Sequence, residues 1–585
     1  MTLILKKIPF TVFLMLFLIF DAGAMPPHPS KQGNTAKEKF ITADPMEDPL
    51  FREFVLQGEA IKQAAPPARI SRSGSPGRIE WNIIVILAGF GADLAEQTVI
   101  GAPLGGNNIF FNKSGYIFPA LLLILLMIQI LFKNRKRYVL LNAYLLITLS
   151  CVIDMESIDK SSGSPRPFAT PRSVFESMLN GEGSLTDLTM RKYWQDMSAN
   201  NFILNIDVVG PVTVSKGWQY YGRNRGGTDN LPGEFVSEAV RLAHSSGEIA
   251  RVSQGRGFKK YANFNPNIVD AVIVVFAGPG EENADGPTDA MWSHSWDLFS
   301  ASRSRRGGRG PILLDGVLIN NYLIVPEITH TISGVGHPSV GVFCHEFGHV
   351  LGLQDLYDTS GETRGTGSWS LMSQGSWGSG NGKDPAPLLA WERKFISDRL
   401  RGNKWVDIKE LSKVSAQNIT VEDIESPSRT AYKIPLNSAQ YLILEGKTAA
   451  SGDGKKYVYG TGILATHINE TIINRYSHNN KVNAGRNRAH GITVVEAAGT
   501  LQGGTGYLWN VNYTIPSPGY VSGYQHMLFR NDNNHNKINL PTPGADDNFP
   551  NSNYYTSESL ASKTGYSGIS IEVTSANSVT IMHTP

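Results

Sequence analysis

Residues 342–377 read VFCHEFGHVLGLQDLYDTSGETRGTGSWSLMSQGSW. The chain is organised around this stretch, because His345-Glu346-Phe347-Gly348-His349 sits in an apolar frame of helical character. On a helix, residues four apart share a face, so His345 and His349 can offer two imidazole nitrogens to one metal ion, with Glu346 beside them. Two neutral imidazoles and an oxygen ligand suit zinc, and a catalytic zinc site keeps its fourth position for water, whose pKa falls to roughly 7. Glu346 is placed to accept that water's proton.

The motif continues as HExxHxxGxxD. Gly352 can end the helix in a left-handed conformation and turn the chain back under the metal, which makes Asp355 the expected third ligand. Glu392 is its rival: it lies on a helix expected over 385–395, and other zinc peptidases take a glutamate from a later helix. Asp358 is a weaker rival, better suited to binding backbone or calcium. A bare HExxH also fits an ordinary amphipathic helix with surface histidines; the extended form is far rarer by accident. Cys344 points about 100° away from His345 around the helix and is expected to pack rather than to bind metal.

Further on, Ser370-Leu371-Met372-Ser373 resembles the methionine turn that floors the zinc site in metzincins, where the residue packs rather than reacts. HEFGHVLGLQDLYD followed by WSLMSQGSWG resembles the immune inhibitor A-type family of secreted zinc metallopeptidases, from about residue 79 to the C-terminus. The resemblance implies an α+β fold: a metzincin-like catalytic domain, with a mixed sheet and an active-site helix, and then an all-β, sandwich-like C-terminal domain. It also implies a zinc-dependent endopeptidase made as a secreted precursor. His345, His349 and Asp355 would bind the metal, and Glu346 would be the general base. The rival from another class is a surface-binding or adhesion protein that retains a structural zinc site. An intact Glu346 argues against it, since a purely structural site has no need of that base.

Composition sets the outer bounds. A chain of 585 residues with 41% hydrophobic and 10% aromatic content is long enough for several domains and is not a disordered protein. The net charge of +2, with both signs interspersed, gives no indication of a nucleic-acid surface. The expected partners are protein or peptide substrates, and the expected state is a monomer. Cys151 and Cys344 are the only cysteines, so no disulfide framework supplies the stability.

Along the chain, residues 1–24 carry Lys6, Lys7, an apolar run through Phe20 and then Ala22-Gly23-Ala24, the pattern of a signal peptide. Residues 25–78 read as a pro-segment; it contains no cysteine, so a thiolate plug on the metal is excluded, and His28 or Asp44 remain as candidates. The catalytic domain is expected over 79–400. It opens on a buried strand and includes a strand over 203–209, a helix over 234–243 and an interior strand over 269–277. Residues 322–327 are expected to be the edge strand along which a peptide substrate could align. His294, in AMWSHSW, reads more readily as a structural than as a catalytic histidine.

Residues 105–165 depart from this pattern. Two nearly uncharged apolar stretches, 116–132 and 138–153, flank Lys133-Asn134-Arg135-Lys136-Arg137. Three readings stand: a gene-model artefact, a transmembrane hairpin that would tether the protease to a membrane, or a buried hydrophobic excursion. Residues 401–585 read as short alternating strands, with Glu445 and His467 on neighbouring ones. The Asn/Asp-rich runs at 531–536 and 546–547 offer the oxygen ligands a structural calcium ion prefers.

Overall fold

The computed structural model describes residues 78–91 and 165–497, apart from 182–187, 412–416, 449–459 and a few shorter breaks. It also describes 23–24, 528–529, 537–538, 569–575 and 578–583. Outside the described residues lie the expected signal peptide except for Gly23–Ala24, residues 25–77 of the pro-segment, the apolar stretches at 116–132 and 138–153, and the runs at 531–536 and 546–547. No described helix is long and apolar enough to cross a membrane.

The architecture is mixed α/β. Six strands form one sheet: β1 (Gly23–Ala24), β2 (Ile79–Phe90), β3 (Phe202–Val214), β4 (Val272–Pro279), β5 (His294–Asp297) and β6 (Asn321–Ile328). Their spatial order is β1-β5-β6-β4-β2-β3. Strands β3, β2, β4 and β6 are parallel, while β5 runs antiparallel to β6, and β1 to β5. Central strands of this kind are buried on both faces and lose polar alternation. Strand β2 shows it: Ile83, Val85 and Leu87 enter one core, and Ile84, Ile86 and Ala88 enter the other.

Five helices cover the two faces: α1 (Arg172–Asn180), α2 (Met190–Met197), α3 (Pro232–Ser245), α4 (Val340–Val350) and α5 (Ala390–Arg399). Helix α3 turns Phe235, Val236, Ala239, Val240 and Ala243 into the second core. The other four bury their apolar residues in the first. Helix α2 is capped by Thr189, whose Oγ1 accepts the Lys192 amide at 3.1 Å.

One local expectation changes. Residues 322–327 are not an edge strand: β6 lies between β4 and β5, with Leu323 opposite Ile273 on one side and Ser295 on the other. The reason is visible in its composition, since Leu323 and Val325 fill one core and Tyr322 and Ile324 the other, leaving no polar row for an exposed edge. The connection from β6 to α4 contains a further short element. His330–Ile332 and Val335–His337 pair as a short antiparallel hairpin, and α4 starts at Val340.

Beyond α5 lies a five-stranded sheet of β7 (Asp407–Glu410), β8 (Thr430–Pro435), β9 (Gln440–Lys447), β10 (Gly462–Asn469) and β11 (Ile492–Val495), in that spatial order. Helix α6 (Glu470–Tyr476) follows β10, and the chain then returns through residues 477–491 to β11. One face of this sheet, with Ile443, Leu464 and Ile468, shares the first core with Phe347 and Trp405. The other face, with Leu442, Leu444 and Ala465, packs with Ile571 from a four-stranded sheet. The five-stranded sheet is thus packed directly against the layer that contains α4.

Candidate metal centre

Helix α4 is apolar almost all the way round, which is the pattern of a helix buried inside a domain rather than lying on its surface. Val342, Phe343, Cys344 and Phe347 are buried. The Phe347 ring meets Trp194 edge-on at 5.4 Å and Trp81 at 6.3 Å. Cys344 belongs to this packing: it is buried, and burial pushes its thiol well above the usual range. The next residue that matters is Gly348. A Cβ there would lie 2.5 Å from Met372 Sδ, so glycine leaves the room that the Met372 side chain takes against the helix between the two histidines.

The helix ends as its sequence suggests. Gly352 takes φ +93°, its N–H donates to His349 O at 2.8 Å, and the Leu353 N–H donates to Gly348 O at 3.0 Å. The reversal brings Asp355 back to the histidines: its Oδ1 lies 3.1 Å from His345 Nε2 and 3.3 Å from His349 Nε2. The three ligand-type atoms lie within 4.8 Å of one another, and this trio is the group of that kind found among the described residues. His345 and Glu346 are 0% exposed and Asp355 is 1% exposed.

Hydrogen bonding sets the imidazole tautomers. His345 Nδ1 is 2.9 Å from Leu371 O, and His349 Nδ1 is 2.9 Å from Leu353 O. A carbonyl oxygen only accepts, so each Nδ1 carries the proton and each Nε2 presents a lone pair. Two such lone pairs face a carboxylate oxygen in a water-poor pocket, an arrangement that calls for a cation among them. Two imidazole nitrogens and one carboxylate oxygen are the donor set of a catalytic zinc site with its fourth position open. The other side of Asp355 is held by Asn480: the Asp355 N–H donates to Asn480 Oδ1 at 2.7 Å, and Asn480 Nδ2 donates to Asp355 Oδ2 at 2.5 Å.

The rival residues lie elsewhere. Glu392 accepts the Leu389 N–H at 2.6 Å and the Ser370 hydroxyl at 2.7 Å, so it ties the start of α5 to the 370–373 turn; burial pushes its carboxyl up to about 7. Asp358 accepts from Ser360 N, Thr363 N and Gly485 N, the backbone role foreseen for it. His294 lies opposite Ile324, on the sheet face turned away from α4, with Nδ1 2.8 Å from Trp292 O; burial pushes it down to about 4. Glu445 and His467 do not face each other. Leu442 is opposite His467 and Glu445 opposite Leu464, so the two point to opposite faces of the sheet. Glu445 instead accepts the Ala390 N–H at 2.6 Å, an acidic group at the amino end of α5.

Sequence reasoning missed Asn480 and the carbonyls of Leu353 and Leu371. Every residue has a carbonyl, so nothing marks the two that matter. Asn480 is separated from Asp355 by more than a hundred positions, and its only local signal is an asparagine suited to a left-handed turn.

A buried HExxH helix whose imidazoles meet a carboxylate from the following glycine turn is an arrangement suited to a metallopeptidase centre. Residues 173–406 match the family model described as immune inhibitor A peptidase M6, catalytic domain. This segment is similar to that family, as its motifs suggested. The chain is 26% identical over 328 residues to the pre-pro-metalloprotease PrtV of Vibrio cholerae serotype O1, covering 52% of this chain and 33% of that protein. It is 27% identical over 334 residues to immune inhibitor A of Bacillus thuringiensis subsp. alesti, covering 52% of this chain and 47% of that protein. The chain therefore spans about a third to a half of the length of these relatives.

Proposed function

We propose that the protein is a secreted, zinc-dependent endopeptidase, made as a precursor and acting on protein or peptide substrates. The catalytic domain, metzincin-like, would occupy residues 79–400 after a signal peptide at 1–24 and a pro-segment at 25–78. Residues 401–585 would form a sandwich-like β domain. The observation that carries the reading is the convergence of His345 Nε2, His349 Nε2 and Asp355 Oδ1 beside the buried Glu346.

His345 and His349 hold their unprotonated nitrogens inward because their Nδ1–H groups are tied to Leu371 O and Leu353 O. Asp355 adds the negative charge and completes the zinc ligand set. Zinc, when bound there, supplies Lewis acidity to a scissile carbonyl and lowers the pKa of a water. Glu346 takes the proton of the attacking water and later delivers it to the leaving amine nitrogen, acting as base in one half-reaction and acid in the next. The buried pocket excludes bulk water and strengthens each of these interactions.

The test is an assay on an unfolded protein substrate, with and without a chelator, alongside Glu346→Gln. The variant is expected to keep zinc and to lose ~10³-fold or more in kcat. Full activity in Glu346→Gln would refute the assignment of the base. A protein that is folded, binds zinc and cleaves nothing would favour the adhesion reading.

A further inference from the structure

The ligand set assigned above draws two of its members from a helix and the third from a loop. Residues 353–358 lie outside regular secondary structure, so no helical or strand geometry fixes the Asp355 side chain. Its orientation is set from outside the matched catalytic segment. Asn480, beyond residue 406 where the family match ends, engages Asp355 at both ends: its Oδ1 accepts the Asp355 backbone N–H at 2.7 Å, and its Nδ2 donates to Oδ2 at 2.5 Å. One planar amide thus fixes the backbone and the outer carboxylate oxygen together and turns Oδ1 toward the imidazoles.

We propose that Asn480 is a positioning residue of the zinc centre, and that the 480–485 loop of the carboxy-terminal sheet completes that centre. Three features support this. The amide is neutral, so it orients the carboxylate without cancelling the charge a cation needs; a lysine or arginine would cancel it. Asn480 is 8% exposed and sits in the left-handed region at φ 53°, ψ 36°, where asparagine is among the few residues other than glycine that fit readily. The same loop grips the residues on either side of its target: Asn483 Nδ2 donates to Leu356 O at 2.9 Å, and the Gly485 N–H donates to Asp358 Oδ1 at 2.9 Å. Partners of metal ligands act by holding orientation and basicity, and their loss typically lowers metal affinity 10–100-fold.

This inference rests on Asp355 being a ligand, and the experiment separates the two claims. Zinc affinity is measured on the full chain by competition with a chromophoric chelator, with melting of the metal-free protein recorded in parallel. Asn480→Asp is the primary variant, because it keeps the shape and the left-handed preference, removes the Nδ2 donor and sets a like charge against Oδ2. Asn480→Ala accompanies it. Both are expected to bind zinc about 10–100-fold more weakly, with kcat falling and KM nearly unchanged. Asn263→Ala serves as the control: its side chain ties the 263–270 turn to β2 through Asn82 and touches no residue of the centre. It should lower the melting temperature and leave zinc affinity alone. If Asp355→Ala loses zinc while both Asn480 variants bind it like the unaltered protein, the positioning role is overturned and the ligand stands. If Asp355→Ala binds zinc like the unaltered protein, the ligand assignment falls and this inference falls with it.

Discussion

The metal centre is assembled from two regions that are held in different ways. Helix α4 carries His345 and His349, and its position is set by packing: Val342, Phe343, Cys344 and Phe347 lie in the first core against α2 and the sheet. The 353–363 loop carries Asp355; Leu353 and Leu356 anchor it in the same core, but the polar side around Asp355 is held by discrete hydrogen bonds, from Asn480 to Asp355, from Asn483 to Leu356 and from Gly485 to Asp358. The helical pair needs no partner to be spaced correctly, because four residues make about one turn. The loop carboxylate has no such ruler, and its orientation is supplied by a segment far away in the chain. Errors in packing should therefore damage the whole fold, whereas errors in the loop should damage the centre selectively.

The largest expected effect tests the packed side. Phe347→Ala removes a fully buried ring from an aromatic cluster with Trp194, Trp81 and Phe202, and is expected to cost about 3–5 kcal/mol in urea-melt stability. A loss of zinc affinity with stability unchanged would contradict the packing account.

A pH experiment on Glu392, which ties the start of α5 to the 370–373 turn, comes next. Its folded pKa of about 7 lies above the ordinary 4.5, so between those pH values the folded state binds the additional proton. The stabilising contribution of that proton is fully present below about 4.5 and is lost as the pH rises through about 7. Glu392→Gln is expected to flatten this fall, by up to about 3 kcal/mol across the window, in denaturant melts at the two ends. An unchanged pH slope would show that Glu392 is not buried as described.

The smallest effect belongs to the loop side. Gly352→Ala forces an L side chain into φ +93° and is expected to cost about 1–2 kcal/mol. Because the strain falls where the chain turns from His349 toward Asp355, zinc affinity should drop even though the change in melting is modest. An alanine variant with normal zinc binding would mean that the turn can be made another way.

Much of the fold follows from patterns that are local in the chain. The branched apolar run from residue 83 marked β2 as a central strand, and the spacing of His345, His349 and Gly352 anticipated the helix, its end and the return of Asp355. Other features needed distant partners. The 322–327 segment was expected at an edge, but its neighbour β5 comes from residues 294–297 and covers it. Glu392 carries the residue type of a zinc ligand, yet both of its oxygens are taken by Leu389 N and the Ser370 hydroxyl. Asn480 carries no mark of its role in its own neighbourhood.

The sequence by itself determined the helical histidine pair, the glutamate beside it and the glycine turn, because each depends on chain geometry over a few residues. Only the tertiary structure decided which carboxylate faces the imidazoles and what holds it there. Those outcomes depend on which distant donors and acceptors are buried together, and residue spacing does not encode that.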